Sequence, residues 1–254
     1  MSAFSKVSSD VLRLLKLALF RFRSQENYQK MQSNIAKNSI NELKQKGIDF
    51  FSANVLELGA GGGGYSKILN QESGAFIASD LQKDTWVDKL DIPFKPVDVL
   101  EPFPFESDVF DLIYCSSVIE HVANPDNLLK ESWRVLKPGG VLFLSFPPFY
   151  SFALIGGHQF KPFHFLGERL AVRLTNLIYR SNYQDYASSF GTFGLHPLTI
   201  DRVKHLIISH QFQMLDIFTR LSPINTCRLP GLLKDLMTWH VCYLSQKPGD
   251  FSVS

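Results

Sequence analysis

The run Asn54-Val55-Leu56-Glu57-Leu58, followed at once by Gly59-Ala60-Gly61-Gly62-Gly63-Gly64, constrains this chain more than any other segment. A short apolar run that ends in glycines reads as a strand buried on both faces, as in a parallel sheet. Glycines directly after it remove Cβ atoms where the chain turns from strand to helix, so the backbone can lie against a ligand. The loop satisfies G-x-G-x-x-G through Gly59, Gly61 and Gly64, and acid-x-G-x-G-x-G through Glu57, Gly59, Gly61 and Gly63. By itself it suits a nicotinamide dinucleotide and an amino-acid nucleoside equally well.

The sequence after the loop alternates. Tyr65–Asn70 opens a helix, and Ala75–Asp80 is a second strand ending in an acid. Lys95–Val99 reads as a third, weaker strand and Phe110–Ser116 as a fourth. Pro125–Leu136 places Leu128, Leu129, Trp133 and Leu136 at helical spacing. Lys137-Pro138-Gly139-Gly140 is then expected to stop that helix and turn the chain into a fifth strand, Val141–Phe146. A helix at Thr199–His210 and strands at Phe212–Arg220 and Trp239–Ser245 follow. The link Leu221–Thr238 holds Pro223, Pro230 and Gly231, too irregular for a full crossover helix, so the last strand is expected antiparallel. This rhythm predicts an α/β fold: a Rossmann-like, mostly parallel seven-stranded sheet with helices on both faces.

Three acids bear on the ligand. Glu57 sits two residues before the first glycine, where a carboxylate would repel a pyrophosphate but can engage an ammonium directly or through water. Asp80 closes the second strand, where it can accept both hydroxyls of a ribose. Asp98 follows the third strand, within reach of an adenine amino group.

The order Glu57-Leu-Gly-Ala-Gly-Gly-Gly63, Asp80, Asp98, Val118-Ile-Glu-His-Val122 and Trp133-Arg-Val-Leu-Lys-Pro-Gly-Gly140 resembles the class I S-adenosylmethionine-dependent methyltransferases. It is closest to the subgroup with Glu-His-Val after the fourth strand. The resemblance covers residues 50–146 and, in rhythm only, 199–246. It implies S-adenosylmethionine as cofactor. It also implies that Glu57, Gly59, Ala60, Gly61 and Gly63 line the methionine end, Asp80 holds the ribose and Asp98 the adenine edge. Leu81 and Val99 would sandwich the adenine, with Cys115 and Ser116 offering backbone near the sulfonium. In related quinone-pathway O-methyltransferases a Glu-x-x-Glu-His segment binds magnesium. Ser117 replaces the first of those acids here, and no metal is expected.

Residues 1–50 carry nine Lys/Arg against four Asp/Glu, a charge of +5 in a chain whose net charge is +2. They read as a basic amphipathic helix at 9–24 and a polar one at 27–47, together capping the cofactor cleft. Arg13, Lys16 and Arg21 interrupt the apolar stretch Val11–Phe22, which is too broken to span a membrane. The basic face could touch anionic lipid or could simply be solvated. Nothing in the overall charge favours nucleic acid. Cys115, Cys227 and Cys242 have no metal-like spacing and an odd count, as expected in a reducing cytoplasm. The domain is expected over 51–246, with a flexible tail at 247–254.

The segment 147–196 fits no strand–helix rhythm, yet the stretch from Phe146 to Phe193 holds twelve of the chain's 33 aromatics. It reads as an insertion after the fifth strand that forms a lid or acceptor pocket. A hydroxyl acceptor benefits from a general base, and histidine is the usual choice. His158 and His164 in the insertion and His121 after the fourth strand are the candidates, each also open to a merely structural role. His196 and His240 read as structural. Tyr179, Tyr183 and Tyr186 have helical spacing and suit a packing stripe or an acceptor platform.

The resulting expectation is methyl transfer to a small-molecule, glycan or lipid-precursor acceptor, on oxygen. A nicotinamide-dependent oxidoreductase and a non-catalytic methyltransferase-like scaffold are the alternatives.

Overall fold

A computed structural model of the chain describes residues 25–152, 160–189, 194–220, 222 and 224–249. The basic segment 9–24 and His158 lie outside these residues. The first described helix, α1 (Gln25–Gln45), buries Ala36, Ile40 and Leu43 at helical spacing. It ends where Gly47 takes φ +90° and the Gly47 and Ile48 amides donate to Lys44 and Leu43 carbonyls, a left-handed stop open to glycine.

Seven strands form one sheet in the order β3-β2-β1-β4-β5-β7-β6. They are β1 (Asn54–Leu58), β2 (Ala75–Asp80), β3 (Phe94–Pro96), β4 (Phe110–Ser116), β5 (Leu136–Phe146), β6 (Gln213–Thr219) and β7 (Val241–Gln246). The first five pair in parallel, and β7 runs antiparallel to both β5 and β6. The sequence expectation of an antiparallel last strand is met.

Alternation along the central strands sends side chains to two cores. Leu56, Leu58, Ile113 and Cys115 pack beneath α4 (Asp126–Val135) and α6 (Ile200–Ser209). Val55, Leu112, Tyr114 and Phe143 pack beneath α1 and α2 (Ser66–Glu72), with Val87 of α3 (Thr85–Asp88). The strand order reverses between β1 and β4, which opens a crevice at their carboxyl ends.

Several boundaries differ from expectation. β3 stops at Pro96, an edge position where a residue without N–H is tolerated; one further bond, Val97 N–H to Asp80 O at 3.0 Å, continues the contact. Lys137-Pro138-Gly139-Gly140 belongs to β5 instead of a turn, and the register slips between the pairs Phe110–Leu136 and Leu112–Val141. The irregularity is fixed by Lys247, whose N–H donates to Gly140 O and whose carbonyl accepts from Gly139, both at 2.9 Å. Lys247 is itself buried, donating from Nζ to Asp108 (2.6 Å) and Leu136 O (2.8 Å), so the ordered chain runs past 246.

The insertion contains a 12-residue helix, α5 (Glu168–Tyr179), after a 3₁₀ turn at Phe163–Leu166. Phe149, Phe160, Ala171, Val172, Tyr186 and Leu195 form its own small core. No helix carries the three tyrosines: α5 ends at Tyr179, Arg180 turns left-handed at φ 54°, and Tyr186 packs on Phe149 and Phe160 from a loop. The link between β6 and β7 holds only a 3₁₀ turn (Thr226–Arg228) and α7 (Leu233–Met237).

The loop after β3 is held by a clamp from α4. Buried Glu131 accepts from Phe103 N–H at 2.8 Å and from Arg134 Nη2 at 2.6 Å, while Arg134 donates to the carbonyls of Phe103 and Phe105. Arg134 holds the Glu131 carboxyl below the ordinary range. Glu131→Ala strands one buried amide and should cost about 1–3 kcal/mol, seen as a lower urea midpoint with unchanged slope. Because the folded-state pKa is depressed, the wild-type advantage is full above the unfolded glutamate pKa and fades as pH falls through the folded one. A deficit independent of pH would show that the carboxylate charge is not what holds the clamp.

Candidate active site

At the carboxyl end of β1 the glycine loop folds back against β2: the Gly59 and Ala60 amides both donate to Ser79 O at 2.9 Å. Gly59 has φ +80°, and a Cβ there would come within 2.2 Å of Val118 Cγ2. Gly61, at φ +48°, faces open space. A Cβ on Gly64 would stand 2.4 Å from Gln32 Cβ of α1. That helix grips the loop through Gln29 Nε2 to Gly62 O (2.8 Å) and Ser33 Oγ to Gly64 O (2.9 Å). The glycines here therefore serve a close helix contact as well as an open ledge.

Asp80 closes β2 with its carboxylate turned to the loop, accepting from Gly61 N–H at 2.8 Å and Leu81 N–H at 2.7 Å. Glu57 is 2% exposed and accepts from Ser66 Oγ at 2.5 Å, tying β1 to the first turn of α2. Burial, with Asp80 adding like charge, pushes its pKa up to about 8.

A cavity of about 830 Å³ lies over this edge of the sheet, within the size range of small-molecule sites. Gly59, Gly61, Asp80 and Leu81 form one end, and Ser116, Glu120 and His121 its floor after β4. Tyr28, Met31 and Gln32 of α1 roof it; Phe149, Leu195 and His196 of the insertion close the far side with Arg220, Trp239 and His240.

Of the residues named from sequence, Gly59, Gly61, Asp80, Leu81, Ser116 and His121 are thus brought to one cavity. Glu57, Ala60, Gly63 and Cys115 are buried behind that wall. Asp98 and Val99 lie on the loop after β3, away from the lining; Asp98 accepts from Leu100 N–H at 2.9 Å and Val99 packs on the core below α4. His164 is buried between Phe149 and Phe165 and lines a smaller neighbouring cavity. Burial and Lys161 push its pKa down to about 4.

His121 is placed differently. Its Nδ1 stands 2.7 Å from Gly194 O; a carbonyl only accepts, so Nδ1 carries the proton and Nε2 the lone pair. Burial holds its pKa below the ordinary histidine value. Sequence reasoning missed Arg220 and Trp239 as cavity wall, and took His196 and His240, which also line it, as structural. A single arginine after a strand carries no mark of a pocket.

The donor set fits a nucleoside joined to an amino acid. A backbone ledge without Cβ at Gly61, a carboxylate at the end of the neighbouring strand and apolar Leu81 beside it converge at one end of the cavity. Asp80 and the Cβ-free ledge at Gly61 would hold such a cofactor.

Comparison with known proteins agrees. Residues 56–144 match the family model described as "Methyltransferase domain". A ubiquinone biosynthesis O-methyltransferase of Pseudomonas fluorescens is 26% identical over 153 residues, 50% of this chain and 66% of that one. An uncharacterized methyltransferase of Mycolicibacterium vanbaalenii is 37% identical over 94 residues, 37% of this chain and 35% of that one. The chain therefore spans about 66% of the length of the first of these relatives. A solved S-adenosylmethionine-dependent methyltransferase of Thermotoga maritima superposes with a TM-score of 0.53 at 15% identity, covering 91% of this chain and 98% of its own; it shares the fold. Strand order, glycine loop and family match agree: the chain has the class I S-adenosylmethionine-dependent methyltransferase fold, and residues 56–144 are similar to a methyltransferase domain, whose cofactor is S-adenosylmethionine.

Proposed function

We propose that the protein methylates an oxygen of a small molecule enclosed in this cavity, a free metabolite or a glycan or lipid precursor. The observation that carries this reading is His121, which lines the cavity with its Nδ1 2.7 Å from Gly194 O, a contact that favours the tautomer with its lone pair on Nε2. Bound S-adenosylmethionine supplies a sulfonium methyl group that is open to in-line displacement. The protein's part is to align the acceptor, exclude water and remove its proton. Phe149 and Leu195 of the insertion shield the far side, and His121 Nε2 takes the proton from the acceptor hydroxyl. The ring becomes an imidazolium whose Nδ1–H stays on Gly194 O. His164, buried and held at low pKa, acts as packing for Phe149 in this reading. Relatives at 26% identity that are named O-methyltransferases support oxygen as the acceptor atom.

The basic segment 1–24 is proposed to touch anionic membrane surfaces. No described helix is long and apolar enough to cross a membrane. Flotation with anionic liposomes should retain the full chain and lose a chain that starts at residue 25; equal retention would remove this part of the proposal.

Two outcomes test the site. Asp80→Ala should weaken S-adenosylmethionine binding by calorimetry at least tenfold, about 1.4 kcal/mol, and unchanged affinity would place the ribose elsewhere. For turnover, a panel of phenols and catechols is assayed by release of S-adenosylhomocysteine. His121→Ala should lower kcat by about 10² to 10⁴ with little change in cofactor affinity. A base must be unprotonated, so the wild-type rate should fall as pH drops through the lowered His121 pKa and stay level through neutrality. A variant that keeps both rate and acid limb would assign the proton to another group.

A further inference from the structure

Arg220 stands just past β6, only 1% exposed, yet it lines the cavity. Its backbone is pinned on both sides, N–H to His240 O at 3.1 Å and carbonyl to Trp239 Nε1 at 2.6 Å. The guanidinium is oriented by neutral groups. Nη1 donates to Tyr65 Oη (3.1 Å), and Nη2 to Ser145 Oγ (2.6 Å) and Ser116 Oγ (3.3 Å). The Cys242 thiol beside it is a weak acceptor at best. Nε meets no acceptor.

Arginine stays charged wherever it is placed, and a buried charge is ordinarily paired. Among the described residues no carboxylate forms an ion pair with Arg220. Glu42 and Glu120 are the acids near enough to feel it. Glu120 lines the same cavity with Oε2 unpartnered, as does His240 with Nε2 unpartnered. Burial pushes the Glu120 pKa up to about 8, so at neutral pH its carboxyl is largely a proton donor. A fixed cation with a spare donor, a protonated acid and an imidazole nitrogen therefore border one space, and none supplies the negative charge the cation lacks.

We propose that Arg220 is a carboxylate-binding subsite of this cavity: its guanidinium, which no carboxylate of the described residues neutralises, takes an anionic carboxylate of a bound ligand, with Glu120 and His240 flanking it. A carboxylate matches the planar guanidinium edge better than a spherical anion does. Two ligands of the proposed reaction could bring that group, the amino-acid end of the cofactor or an acid function on the methyl acceptor. The inference rests on the cofactor occupying this cleft.

Calorimetry on the full chain separates these. One pair of ligands is S-adenosylmethionine and its analogue lacking the α-carboxylate. The other is benzoate and benzyl alcohol, titrated into protein saturated with S-adenosylhomocysteine. In one pair the carboxylate should bind on the order of 10- to 100-fold more tightly, and Arg220→Gln should erase that preference while leaving the neutral ligand unaffected. A preference in the first pair assigns the subsite to the cofactor, in the second to the acceptor. Arg220→Lys keeps the charge without Nε and should retain part of the preference; with the wild-type comparison it covers the case in which Arg220→Gln does not fold. Normal S-adenosylmethionine binding with no carboxylate preference in either pair, or a preference that survives both substitutions, overturns the proposal alone. Failure of S-adenosylmethionine to bind wild-type protein overturns the cofactor reading as well.

Discussion

The cleft depends on a close approach at Gly59. The chain leaves β1, turns at positive φ and runs within contact of Val118, which enters from the loop after β4. Those two strands are neighbours at the reversal of strand order, and only an absent side chain lets the loop after one pass under the loop after the other. The Gly59 and Ala60 amides are satisfied by Ser79 O of β2 rather than by solvent. Gly59, Val118, Asp80 and His121 all line the cavity beside that crossing. α1 then seals the loop from above, with Gln32 filling the space that a side chain at Gly64 would need.

Electrostatically the site is divided. At the glycine end, Glu57 is buried and largely protonated at neutral pH, while the Asp80 carboxylate accepts from two backbone amides. Elsewhere in the lining, Arg220, Glu120, His121 and His240 are buried to different degrees, with the Glu120 pKa raised and the imidazoles lowered. Burial thus keeps the histidines neutral and Glu120 protonated, leaving Arg220 as the strong charge of that wall. Such a wall favours neutral nucleophiles that lose a proton during transfer and ligands that bring one negative charge.

The sheet was legible because buried parallel strands repeat in period and are punctuated by glycine, proline and terminal acids. The antiparallel last strand followed from a link too irregular for a crossover helix. Local rules misread Lys137-Pro138-Gly139-Gly140, since its strand character comes from pairing with Lys247, more than a hundred residues away in the chain. The tyrosines of the insertion had helical spacing, but α5 ends at Tyr179 and tertiary packing on Phe149 decides the rest. Within the site, the glycine ledge and Asp80 were visible as motifs. Arg220 was not, because its role comes from which elements the topology folds over one edge, and a lone arginine looks the same on any surface.

The central claim is that the cofactor lies along the edge from Gly59 to Asp80 with its sulfur directed toward His121. Crystallographic difference density from protein grown with S-adenosylhomocysteine measures this directly. The ribose hydroxyls should lie within hydrogen-bond distance of the Asp80 carboxylate, with the thioether facing the space lined by His121 and Phe149. Density on another face of the sheet, or a ribose remote from Asp80, would contradict it.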